Sequence, residues 1–178
     1  MKKIIHGAGI ITAVLCLFIC SDNAFARSEK AIYQEGVRAA KAGDIDFAFM
    51  DFHELLRHSA SSKYYPQALF SVGEYYYWHG NRRDAEMIFT DFIEKFPDSE
   101  AFPFAMVYLL QFWKDSPDEE FAYELKKKII KFKQLSLLFS EFKEYSFTSS
   151  MNYNYRAVYF IDRVEFYIND ELFERIYF

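Results

Sequence analysis

The chain has 178 residues, enough for one domain or one domain with a small appendage. Half of it (52%) is hydrophobic, and 21 Phe and 14 Tyr lift the aromatic share to 21%, which excludes a disordered polymer and supplies a core. The formal net charge of −5 speaks against a nucleic-acid partner, which needs a basic face.

Residues 1–26 read as a targeting segment. Lys2 and Lys3 give a positive start, Ile4 to Cys20 is apolar and uncharged, and Ser21-Asp22-Asn23 leads into the small-x-small triplet Ala24-Phe25-Ala26. That is the three-part layout of a secretory signal peptide cleaved after Ala26. Two alternatives stand beside it. One is an uncleaved anchor, for which the apolar run is short. The other is lipidation at Cys20, although the preceding Leu17-Phe18-Ile19 lacks the small residue such a signal carries. Cys16 and Cys20 are the only cysteines, so a chain starting at Arg27 has no disulfide and no thiolate metal site. Losing Lys2, Lys3 and Asp22 takes the net charge from −5 to −6.

From residue 27 to about 144 the sequence repeats. Shifted by 37 residues, Gly36 falls on Gly73, Gly43 on Gly80, Asp44 on Asn81, Ala48 on Ala85, Phe52 on Phe89 and Pro66 on Pro103. A fainter third copy places Asn81 on Asp118 and Ala85 on Ala122. The matched residues have structural tasks. Gly36 and Gly73 lie inside helical patterns, where glycine costs about 1 kcal/mol against alanine, so close helix packing must require them. Gly43 and Gly80 suit a left-handed helix terminus, and Asp44 and Asn81 suit caps for the helices that follow. Asn81 with Asp84, and Ser116 with Glu119 around Pro117, read as capping boxes. The spacing predicts helices near 28–42, 45–58, 64–79, 82–96, 101–114 and 118–143, paired into three hairpins that share a core.

The second unit carries a family resemblance. Leu69, Val72-Gly73, Tyr76, Gly80, Ala85, Phe89, Phe92 and Pro97 stand at spacings that resemble the 34-residue tetratricopeptide repeat (TPR) signature. Pro97-Asp98-Ser99, followed by an aromatic residue and Ala105, is similar to exported bacterial members, such as BamD-type outer-membrane assembly lipoproteins and Tol–Pal-associated periplasmic proteins. The resemblance covers about 29–134. It departs from the signature in the third unit, at Lys126 and Leu110. It implies a mainly α, short helical-hairpin solenoid and a protein-binding, non-enzymatic role in the periplasm or cell envelope, including outer-membrane assembly. It also implies a concave groove. Tyr77 and Trp78 fall where TPR proteins line that groove, with Phe70 and Glu74 in the same unit, Tyr33 and Lys41 in the first, and Gln111 and Lys114 in the third. Tyr76 takes a core position. The competing reading is that the tail covers this face.

The tail, 145–178, changes pattern. Tyr145 to Tyr155 is rich in Ser, Thr, Asn and Tyr and reads as a loop. Val164, Phe166 and Ile168 alternate with Arg163, Glu165 and Tyr167, and Asn169-Asp170 suits a two-residue turn, which predicts a β-hairpin. A helix is the rival, because Val158, Ile161, Val164, Ile168, Leu172 and Ile176 recur every three or four residues.

Catalytic patterns are poor. His53-Glu54-Leu55-Leu56-Arg57-His58 nearly spells a zinc-protease motif, but five-residue spacing sets the histidines about 140° apart on a helix, where about 40° is needed. No nucleophile elbow, phosphate loop or dinucleotide glycine pattern occurs. Lys126-Lys127-Lys128, with Lys131 and Lys133, follows Glu119, Glu120 and Glu124, the order a solvated helix face favours; contact with anionic lipid is the other reading. The expectation is an adaptor with no cofactor and no metal that holds an envelope protein or peptide. An alternative is a binder of peptidoglycan or lipid. Membrane association would come only through a partner or through Cys20.

Overall fold

A computed structural model of the chain describes residues 27–58, 60–114, 119–131 and 143–178. The expected signal segment with Cys16 and Cys20, the Ser116-Pro117-Asp118 part of the third cap and Lys133 lie outside the described residues. Six helices are described: α1 (Glu29–Lys41), α2 (Ile45–His58), α3 (Tyr65–Trp78), α4 (Arg82–Lys95), α5 (Phe102–Trp113) and α6 (Glu119–Lys131). Four strands follow: β1 (Lys143–Thr148), β2 (Asn154–Tyr159), β3 (Arg163–Ile168) and β4 (Glu171–Tyr177). The chain is thus mainly helical with a C-terminal antiparallel sheet in the order β1-β2-β3-β4. Among the described residues no helix is long and apolar enough to cross a membrane.

The 37-residue repeat is visible as repeated packing. A Cβ on Gly36 would stand 2.8 Å from the Phe52 ring, and one on Gly73 would stand 2.8 Å from the Phe89 ring. In each hairpin a fully buried phenylalanine of the second helix occupies the space that glycine leaves on the first. Ala48 and Ala85, both fully buried, complete the close contacts, and Ala122 is buried in the third hairpin. The turns repeat as well. Gly43 and Gly80 adopt φ of +84° and +74°. The Asp44 and Asn81 amides reach back to the Ala39 and Tyr76 carbonyls, while the Gly43 and Gly80 amides bond the Ala40 and Tyr77 carbonyls. Both are Schellman terminations.

The caps differ between copies. Asp44 accepts the Phe47 amide at 3.1 Å, as expected. Asn81 does not cap with its side chain; its amide instead donates to the Asp84 carboxylate at 2.5 Å. An amide N–H facing a carboxylate makes a charge-assisted bond, which fixes the side chain's orientation.

The sheet departs most from expectation. Tyr145–Tyr155 is not a loop, because β1 and the start of β2 fall within it, joined by a turn around Asn152 at φ 67°. Tyr145 and Phe147 stand opposite Ala157 and Tyr155. They pack on the helices while Ser146 and Thr148 alternate with them, a period of two inside a polar stretch. Strand β1 opens at Lys143, so the sixth helix does not reach that residue, and residues 132–142 lie outside the described residues. The β3–β4 hairpin forms as expected, with Asn169 and Asp170 at φ 50° and 65°, the left-handed pair that a two-residue turn needs. The rival helical stripe fails: Ile161 is 78% exposed, although Val164 and Ile176 are buried.

The sheet lies on α3 and α5. Tyr155, Ala157, Tyr159, Val164, Phe166 and Ile176 join one core with Phe70, Phe89, Phe104 and Tyr108. Helix α5 is buried along nearly its whole length, a helix apolar all round because α4, α6 and the sheet each cover a side. A second cluster, Ile32, Phe52, Leu55 and Val72, joins α1 to α2 and α3 and takes in Met151 from the β1–β2 turn. On the opposite face of the sheet, Arg163, Tyr167 and Arg175 gather round the buried Glu165, at 2.9, 2.5 and 2.8 Å. The Tyr167 and Arg163 bonds hold that carboxyl down at about 2.

Candidate functional site

The expected groove residues come together in part, and the sheet fills most of the face they line. Phe70 is buried among Phe89, Phe92, Tyr108, Phe147 and Tyr155. Glu74 is fully buried; its Oε1 accepts the Tyr155 hydroxyl at 2.6 Å. Because that proton is committed, the Tyr155 oxygen accepts from the Tyr108 hydroxyl, 2.6 Å away. The Ser71 and Ser149 hydroxyls stand close enough to draw the carboxyl's pKa down, yet neither meets Glu74 Oε2 with bonding geometry. Burial outweighs these bonds and pushes Glu74 up to about 8. Burial likewise raises Tyr108 and Tyr155 well above the ordinary tyrosine value.

Tyr77 is half-buried, 4.6 Å from the Tyr108 ring and 5.9 Å from Phe173 of β4. Gln111 donates to Glu174 of β4 at 2.5 Å, and the Lys114 ammonium stands 3.9 Å from the same carboxylate. Tyr33 shares a 2.8 Å hydrogen bond with Ser150 in the β1–β2 turn and stacks on Tyr64 at 4.5 Å. Lys41 ends α1 and is exposed. Tyr76, expected in the core, is partly buried and packs against it, edge-on to Phe49 at 5.3 Å.

Compared with protein-family models and with curated proteins, the chain matches none.

Trp78 differs from its neighbours. It closes α3 and remains 45% exposed. Its ring is 6.0 Å from Tyr153 at 30°, and 6.3 Å from Phe173 at 57°. With Leu172, Asn169 and Glu171 these rings line an open cleft of about 360 Å³ at the β3–β4 turn. A larger cleft, about 510 Å³, lies on the β1 side of the same end of the sheet, between Tyr33, Phe70, Pro97 and Ser149. Trp78 was readable in the sequence as an aromatic residue that the repeat does not require. Tyr153, Glu171 and Phe173 were not, because folding of the tail onto α3 creates their proximity.

The catalytic and metal patterns gain no support. Among the described residues no group of three or more His, Cys, Asp or Glu is placed to hold a metal. His53 packs against Phe49 at 5.5 Å, and His58 sits exposed at the end of α2. Lys126, Lys127, Lys128 and Lys131 are exposed on α6, with Lys127 paired to Glu124 at 3.0 Å.

Proposed function

We propose that this chain is a TPR-like binding module, exported to the cell envelope through the signal segment at 1–26, that holds a protein or peptide partner and performs no catalysis. The repeated glycine–phenylalanine contacts and the paired Schellman turns, 37 residues apart, support the relation to TPR hairpins. In this reading the sheet takes over the concave face, and the partner site moves to the mouth of that face. One observation carries the site: Trp78 stays open to solvent while Phe70 and Glu74 on the same helix are sealed. A large aromatic ring left in water beside other rings is a common mark of a recognition surface.

A photo-crosslinking residue placed at Trp78, with Met87 on the far side of α4 as control, tests this in cells. The expected result is a discrete protein adduct from position 78 and none from position 87, which is also exposed. Adducts of equal intensity from both positions, or none from 78, would remove Trp78 from the site. Retention of the purified chain on peptidoglycan or lipid vesicles, lost in Trp78→Ala, would instead favour the polymer- or lipid-binding reading.

A further inference from the structure

The β3–β4 turn ends on two adjacent carboxylates, Asp170 and Glu171, and they meet different surroundings. On the outer side of the sheet Arg156 lies 4.1 Å over the Tyr167 ring and 3.8 Å from the Asp170 carboxylate. There a guanidinium is held between an aromatic face and an acid, both of which attract it. On the other side Glu171 shares its cleft with three rings, Trp78, Tyr153 and Phe173. No lysine or arginine lines that cleft. Among the described residues Glu171 makes no ion pair. The turn therefore presents the same pairing of ring and carboxylate twice, once filled by the chain's own Arg156 and once without a cation.

We propose that the Trp78 cleft takes a basic side chain, an arginine or lysine, from the partner polypeptide. This rests on the reading of the cleft as the partner site and gives that site its chemistry. Ring faces carry negative quadrupole charge, and a cation with an apolar stem suits both the rings and Leu172. An acidic or neutral group would leave Glu171 uncompensated. The net charge of −5 favours approach of a basic segment in the same sense.

The test titrates the full chain with Nα-acetylargininamide and with its neutral isostere, Nα-acetylcitrullinamide, following tryptophan fluorescence at constant ionic strength. The expected result is saturable binding of the arginine probe, about tenfold tighter than the citrulline probe. Glu171→Gln should narrow that margin to the part the rings supply, and Trp78→Phe should remove the signal. Trp113→Phe should keep both, since Trp113 packs elsewhere, on Phe121. Equal binding of the two probes, or no saturable binding, would overturn the proposal. So would choline binding tighter than the arginine probe, since it would point to a lipid headgroup rather than a polypeptide. The crosslinking at position 78 reads out separately: adducts there with no preference for arginine would leave the site standing and its chemistry wrong, and arginine binding without adducts would do the reverse.

Discussion

Glu74 shows how one buried acid sets the pH response. The groups facing it are hydroxyls: Tyr155 from β2, which donates to it, Tyr108 from α5 through Tyr155, the half-buried Tyr153, and Ser71 and Ser149. With no cation beside it among the described residues, burial decides, and its pKa moves from 4.5 to about 8. The folded state therefore holds this proton more tightly than the unfolded state. Below pH 4.5 both states keep it and folding meets no penalty. As pH rises towards about 8 the unfolded chain releases it first and stability falls, levelling off once the folded carboxyl also ionises. The loss is on the order of a few kcal/mol. Glu165 acts in the opposite sense. Its pKa, lowered to about 2, gives stability that is present above 4.5 and is lost as pH falls through 2. Glu74→Gln keeps an oxygen for the Tyr155 hydroxyl and cannot ionise. Its denaturation midpoint should stay nearly level between about pH 5 and 8.5, while that of the parent falls. A parallel fall in the mutant would assign the slope to another group.

At the scale of elements, the β3–β4 turn is the most exacting local feature of the sheet. Asp170 holds φ 65° with a side chain 91% exposed and only a long contact to Arg156, so backbone conformation dominates there. Asp170→Val puts a branched side chain into the left-handed region and should cost about 1–2 kcal/mol in thermal unfolding, whereas Asp170→Gly should cost nothing or stabilise. An Asp170→Val melt equal to the parent's would show that the turn does not govern this hairpin. The hairpin was legible because its turn residues and its alternation agree. The helices were legible for the same reason: Gly43-Asp44 and Gly80-Asn81 punctuate them, and Gly36 and Gly73 announce tight contacts. Strand β1 was not, since Ser146, Thr148 and the following Ser149-Ser150 carry turn chemistry that masks Tyr145 and Phe147. The cleft was half legible. Trp78 stands out within its helix, but its partners lie about 75 to 95 residues downstream, and only tertiary docking brings them near.

At the scale of the molecule, the question is whether the sheet is a cover or a part of the core. Helical repeats are stabilised by neighbour contacts, so a terminal appendage need not affect them. Here the appendage reaches inward. Tyr155 and Phe166 are buried against Phe104, with ring centroids 4.9 and 5.7 Å from it, and Tyr108 is sealed between Phe89, stacked at 4.6 Å, and Phe173. Glu74 is shielded from water by the same strands. Removing them would leave α5 with a bare apolar flank and uncover Phe70, Phe104 and Tyr108 together, a patch of the kind that aggregates or melts. A chain ended at residue 142 should therefore lose the single cooperative transition of the parent and bind a hydrophobic dye, in both respects unlike a free-standing repeat array. If the shortened chain instead melts sharply near the parent temperature, the sheet is a separable plug. The groove around Tyr33, Phe70, Glu74 and Tyr77 would then be open to a partner when the plug leaves, and the binding site would extend along the whole face rather than stop at Trp78.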